Sequence, residues 1–263
     1  MSERPKVPSE PLYRGIEWLI IRPIARQLGG VTIHNLGGHE PITGGHLRVG
    51  NHPSSKLDAA IAGSVQLKLD GSSMHAIAKS ELGTNRLNRW VLHGVGALFI
   101  DKNEKTIDPA VVGRLENILD NNGIVWCFPE GTTTYSSTIA KHGSMSPKRN
   151  AVALAVNSGV PIETNALSGT APGDIGNFFW VIGDVVPVVQ EPVDMQNSKS
   201  IVGVTKPYMS DIYDGMNDAL HAAHRLRAEY TAEHPIPSNP VAKFLIQQLS
   251  QQIPEYMSAS SIK

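Results

Sequence analysis

The chain has 263 residues, 41% of them hydrophobic and 18% charged, with a formal net charge of −1. That length supports the core of one large domain or one and a half ordinary ones, and the near-neutral balance excludes both a bulk basic surface for nucleic acid and an acidic, disorder-prone composition. The single cysteine, Cys127, cannot close an intrachain disulfide and points to a reducing compartment; within IVWCFPE it reads as core filler rather than nucleophile.

Met1 to Glu10 is polar and Pro-containing, a loose tail without the apolar run of a signal peptide. From Pro11 to Gly30, Leu12, Ile16, Leu19, Ile20, Ile24 and Leu28 recur at helical spacing among Arg14, Arg22 and Arg26. Pro23 is expected to kink or break this helix, and Gly29-Gly30 to end it. Short strands are expected at Val31–Asn35, His46–Asn51, Met74–Lys79 and Ala97–Asp101, with helices at Leu57–Leu67, Asn85–His93 and Thr106–Asp120 between and after them. Gly123–Phe128 is an almost continuous apolar run, the pattern of a strand covered on both faces. Residues 129–146 show no period and read as a long loop, a kind of segment that is often functional. A helix at Arg149–Ser158, a strand over 161–169, and one or two strands within Phe178–Val189 follow. Ser210–Ala232 reads as a long helix, Pro235–Pro240 as a break and Val241–Tyr256 as a last amphipathic helix. No run approaches the ~20 apolar residues that span a bilayer. The alternation of strand and helix predicts an α/β fold, divided into a tail and amphipathic helix (1–30), an α/β domain (31–205) and a C-terminal helical extension (206–263).

Within RVGNHPSSKLD, His52 follows a strand and precedes a helix, a position that lifts side chains to the sheet edge where α/β folds place ligands. An imidazole there can take a proton from an alcohol, and a carboxylate such as Asp58 can fix its tautomer. The plainer reading is a helix entry, with Ser54 or Ser55 as cap and Asp58 in the first turn. GALFIDK ends a strand with Lys102, and FPEGTTT brings Glu130, Gly131 and Thr132 out at another strand end. Each can serve an anion or be an ordinary strand end or turn. His221 and His224, three apart, read as a solvated helix face rather than a metal pair. No Walker or Rossmann glycine pattern implies ATP or NAD.

Taken in order, the Asn-His…Asp element, the Ile-Asp-Lys strand end, Phe-Pro-Glu-Gly-Thr and Gly-Val-Pro-Ile resemble the four motifs of the glycerolipid acyltransferases related to bacterial 1-acylglycerol-3-phosphate acyltransferase. The likeness covers roughly Leu47 to Gly169. It implies a central mixed, largely parallel sheet flanked by helices, with N-terminal and C-terminal helical arms. It also implies transfer of a fatty acyl group from acyl-CoA or acyl carrier protein to the hydroxyl of a 1-acylglycerol-3-phosphate-like acceptor in phospholipid biosynthesis. By that likeness His52 is the general base and Asp58 its orienting partner. Lys102 meets the acceptor phosphate, Glu130, Gly131 and Thr132 help hold the acceptor, and Lys148 and Arg149 supply a supporting basic pair. The only partners implied are the thioester donor, the lysolipid acceptor and a membrane surface, with no metal, no other cofactor and no nucleic acid. The protein is expected on the cytoplasmic side of the membrane, peripherally bound.

Two departures qualify the likeness. Five residues separate His52 from Asp58, where the family usually has four. On an ideal helix one extra residue rotates a side chain by about 100°, so the turn before the helix is expected to absorb it. Lys102 and Thr133 stand where the family commonly has arginine, which leaves open another lysolipid or glycolipid acceptor, or a catalytically silent lipid-binding relative. The Pro11–Leu28 helix has the composition of an interfacial anchor, and packing against the domain is an equal reading. The last helix is a second anchor candidate.

Overall fold

A computed structural model of the chain describes residues 10–53, 57–72, 74–79, 92, 96–100, 107–128, 149–171 and 174–251. The strands are β1 (Val31–Asn35), β2 (His46–Gly50), β3 (His75–Lys79), β4 (Leu98–Ile100), β5 (Ile124–Cys127), β6 (Ile162–Ser168) and β7 (Phe178–Val186). They form one seven-stranded sheet in the order β1-β7-β6-β2-β5-β3-β4. Every pair is parallel except β6 with β7. That antiparallel pair follows from a short connection, because a parallel crossover needs a dozen or more residues. Gly169 and Gly176 close the connection at positive φ, and a Cβ on Gly169 would stand 2.6 Å from the Gly176 carbonyl oxygen. The mixed, mostly parallel sheet is the predicted fold class. Phe178–Val189 supplies one strand rather than two, ending before Pro187, which has no N–H for a ladder.

Helices cover both faces. On one lie α4 (Pro109–Asp120), α5 (Arg149–Ser158), α6 (Ser198–Thr205) and α7 (Met209–Glu233). Leu115, Leu119, Val152, Leu154, Ile212 and Met216 of these helices pack with Leu47, Val49, Val125 and Ile162 of the strands. The sequence pattern did not reveal α6, a short helix whose Asn197 side chain caps it by accepting from Lys199 N–H. On the other face, α3 (Leu57–Asp70) packs through Leu57, Ile61 and Val65 against Trp126, Leu167, Phe178 and Trp180.

Of the kink or break expected at Pro23, a break does not occur. α1 (Glu10–Ile16) runs through a π-helical turn (Glu17–Ile21) into α2 (Arg22–Gln27) without interruption. A proline ring clashes with the carbonyl four residues earlier in a regular α-helix. The wider turn, with Arg22 N–H donating to the Glu17 carbonyl, passes that point without ending the helix. The segment both packs and faces outward. Tyr13, Ala25 and Leu28 are buried, with the Tyr13 ring lodged against Gly63 of α3, where a Cβ would come within 2.5 Å of its hydroxyl. Trp18, Leu19 and Ile20 are 63%, 66% and 50% exposed. The last helix, α8 (Pro240–Gln251), buries Ala242 beside this segment and leaves Val241 and Phe244 exposed. Among the described residues no helix is long and apolar enough to cross a membrane.

Arg48, in the middle of β2, is buried. Its guanidinium donates to Glu163 of β6 at 2.7 Å, to Asp70 of α3 at 2.9 Å and to Gln66 of α3. Asn165 donates to Glu163 at 2.9 Å and accepts from the Trp180 indole at 3.0 Å, so the network is saturated around its charges. It fastens α3 to β2 and β6. Replacing Arg48 with Ala leaves Glu163 and part of Asp70 as uncompensated charges, and the expected loss in urea unfolding is about 3–5 kcal/mol.

Three imidazoles are held below their ordinary value of 6.5. Burial is the main cause for each, with Arg48 adding to it for His46 and Asp174 opposing it for His224. His46 donates from Nδ1 to the Gly44 carbonyl, and its Nε2 is buried without a hydrogen-bond partner among the described residues. As pH falls through about 6.5 the unfolded chain takes up protons that the folded chain refuses, so stability must drop. Urea midpoints measured from about pH 7.5 down to 5.5 are expected to fall steadily; a flat profile contradicts this assignment.

Candidate active site

The carboxyl ends of β2, β5 and β6 come together where β2 gives out, the position at which open α/β sheets place ligands. Gly50 ends β2 in a tight space: a Cβ there would stand 3.2 Å from the Trp126 ring and 3.3 Å from the Asn165 carbonyl oxygen. Asn51 then replaces backbone pairing with its side chain. Its amide donates to the Leu167 carbonyl at 3.0 Å, and the Leu167 N–H donates to its Oδ1 at 2.7 Å. This buried amide carries the β2–β6 ladder one step past the strand and fixes the backbone from which His52 projects.

His52 Nδ1 lies 2.8 Å from Asp58 Oδ2. The Asp58 side chain is fully buried and that of His52 is 13% exposed. Asp58 stands in the first turn of α3, where the helix dipole favours a carboxylate. Its oxygen can only accept, so Nδ1 carries the proton and donates it to Asp58. Nε2 is then the basic nitrogen of the neutral ring. Phe128, just past β5, stacks on the imidazole with centroids 4.3 Å apart and planes 11° from parallel. Trp126 meets Phe128 edge-on at 5.6 Å and Trp180 at 4.9 Å. An aromatic row thus runs from the core to the imidazole and holds it flat while Asp58 holds its edge. Together these contacts orient the imidazole at a strand end, with Nε2 as the nitrogen that can accept a proton from a hydroxyl.

Of the residues expected at the site, the structure brings His52 and Asp58 together despite the five-residue gap. Arg149 begins α5 and donates to Thr205 Oγ1 at 3.0 Å, which turns one arm of its guanidinium toward α6. Lys102, Glu130, Gly131, Thr132 and Lys148 lie outside the described residues, as do the 129–146 loop and all but Leu92 of the Asn85–His93 helix. His224 meets Ser168 Oγ at 3.1 Å, and among the described residues no cluster of three or more His, Cys, Asp or Glu side chains is placed to hold a metal. Cys127 is buried in the core. Phe178 and Trp180 are core residues, and Phe179 packs against Tyr230.

The sequence reading missed Asn51, Arg48 and Phe128 as parts of the site's support. A signal existed for Arg48 and for its partner Glu163. An arginine inside the apolar strand HLRVG and a glutamate inside IETNALS are charges where a buried strand tolerates only paired ones.

The acyltransferase family's sequence model matches residues 30–168, more than half of the chain. Among solved structures, the chain is similar to the 1-acyl-sn-glycerophosphate (LPA) acyltransferase PlsC from Thermotoga maritima. The TM-score is 0.53 at 18% identity, over 82% of this chain and 80% of that one. At that identity the likeness speaks for the fold. No curated protein matches the chain. The family match spans β1 to β6 and includes His52 and Asp58, and the chain belongs to the acyltransferase family.

Proposed function

We propose that this acyltransferase moves a fatty acyl group from acyl-CoA or acyl carrier protein to the free hydroxyl of a 1-acylglycerol-3-phosphate-like acceptor. The observation that carries the reading is the 2.8 Å bond between His52 Nδ1 and a buried Asp58, inside the matched family region. His52 Nε2 takes the proton of the acceptor hydroxyl as its oxygen attacks the thioester carbonyl. Asp58 stabilises the resulting imidazolium. The carbon–sulfur bond then breaks, and the proton passes from Nε2 to the departing sulfur, leaving an ester and a free thiol. No acyl-enzyme forms, which accords with the burial of Cys127.

The chemistry requires both substrates at an interface, because a lysolipid and a long acyl chain concentrate there. In this reading the exposed Trp18, Leu19 and Ile20 of the π turn, with Arg14, Arg22 and Arg26 around them, rest on the cytoplasmic leaflet. The protein then lies on the membrane rather than through it. The close His52–Asp58 contact supports an active enzyme over an inert relative, since the longer spacing does not separate the pair.

With palmitoyl-CoA and lysophosphatidate, His52→Ala is expected to lower thiol release about 10²–10⁴-fold. Asp58→Asn, which can hold the ring in the wrong tautomer, is expected to lower kcat by about 10²-fold or more with little change in KM. Wild-type rates in either variant rule out this mechanism. A second reading keeps the chemistry and changes the acceptor to another lysolipid or glycolipid, favoured by Lys102 and Thr133 where the resemblance leads one to expect arginines. In direct competition between acceptors, preference for lysophosphatidate excludes the second reading, and preference for an uncharged headgroup excludes the first.

A further inference from the structure

Phe128 is the first residue past β5, and its ring lies on the His52 imidazole with centroids 4.3 Å apart and planes 11° from parallel. The core holds it there. Cys127, the residue before it, is buried at the end of the strand, and the Trp126 indole meets the phenyl ring at 78° with centroids 5.6 Å apart. That indole is fixed in turn. It is buried, tilted against Trp180 at 4.9 Å, and close over Gly50, where a Cβ would stand 3.2 Å from it. The face presented to the imidazole is therefore built into the strand end and needs no rearrangement when the reaction begins.

A leucine would fill much of the same space, so packing does not by itself call for an aromatic ring. What the ring adds is a charge distribution. Its faces are negative and its edge positive, and a cation within about 6 Å of the centroid, over the face, is attracted to it. In the reaction proposed above, His52 gains one positive charge when Nε2 takes the hydroxyl proton and gives it up when the sulfur departs. Asp58 meets that charge at the edge of the ring, through Nδ1. Phe128 meets it across the plane of the ring. Little water reaches either contact: the Asp58 side chain is fully buried and that of His52 is 13% exposed. A cation over an aromatic face is held more strongly when desolvated. An attraction that grows only as the imidazole becomes charged lowers the barrier, because it is stronger in the transition state than before it.

We propose that the negative face of the Phe128 ring stabilises the His52 imidazolium during acyl transfer, alongside the carboxylate of Asp58. This role rests on His52 being the general base, as in the function proposed above, and assigns that reaction a further residue. The two stabilising groups divide the work by direction. Asp58 fixes the tautomer and neutralises the charge in the ring plane, and Phe128 acts above the plane without offering a competing acceptor for the proton.

The test replaces Phe128 in the full chain with phenylalanines carrying successively more ring fluorines, which withdraw electrons from the face and nearly keep the ring's shape. The single-turnover rate of thiol release from palmitoyl-CoA with lysophosphatidate is expected to fall steadily along the series, by about 5- to 30-fold in all, with half-saturation by the acceptor unchanged. Phe128→Leu is expected to lose as much. The same fluorinated residues at Phe179, which packs against Tyr230, are the control and are expected to leave the rate unchanged. A flat series at Phe128 overturns the proposal, as does an equal fall at Phe179 or a change in half-saturation alone. His52→Ala, measured beside them, separates the two levels. Wild-type rates in that variant sink the proposed function together with this role; a loss in that variant with a flat fluorine series sinks only the role of Phe128. Thermal unfolding of each variant at wild-type temperature separates a lost attraction from a lost fold.

Discussion

The position of His52 and Asp58 depends on the buried guanidinium of Arg48. A charge in that place must be neutralised where it stands, and the groups that neutralise it come from β6 and from the end of α3. Arg48 is four residues before His52, and Asp70 is twelve after Asp58, so the same ion cluster sets both the strand that delivers the imidazole and the helix that delivers the carboxylate. Gln66 and Asp70 also bond to each other at 2.6 Å, which stiffens the last turn of α3 against the sheet. A hydrophobic contact would hold the helix down equally well. A hydrogen-bonded guanidinium also fixes its rotation and register, and an imidazole–carboxylate bond tolerates little error in either.

This explains how Asp58 reaches His52 across the longer spacing. Counted along an ideal helix, it swings the carboxylate by about 100°. That count assumes that the helix phase is set from its first residue. Here the phase is set from the other end, by Arg48, and from the middle, where Gly63 admits the Tyr13 ring. The helix therefore carries Asp58, in its first turn, already turned to His52.

The sequence carried the fold in its apolar runs. The continuous one at β5 announced a buried parallel strand, and the helical spacing of apolar residues announced α4 and α7. It carried the dyad through a histidine at a strand end and an acid in the next first turn. Two things were not legible. The partners of Arg48 are 18 to 115 residues distant in sequence order and meet only through the sheet order β6-β2 with α3 laid across it, which no local pattern encodes. The π turn was hidden for a different reason. Proline in a helical pattern reads as a break because its cost is reckoned for an α-helix, whereas one added residue per turn relieves the clash and lets the helix go on.

α3 links the dyad to the buried ion cluster. Its amino end holds Asp58 against the imidazole, and its carboxyl end contributes Asp70 to the Arg48 cluster. The first half of the N-terminal segment is pressed to the same helix through Tyr13, Glu17 and Ser64. A rigid helix of fourteen residues spans about 21 Å, so the contacts that hold its middle and its carboxyl end fix the angle at which its amino end presents Asp58 to His52.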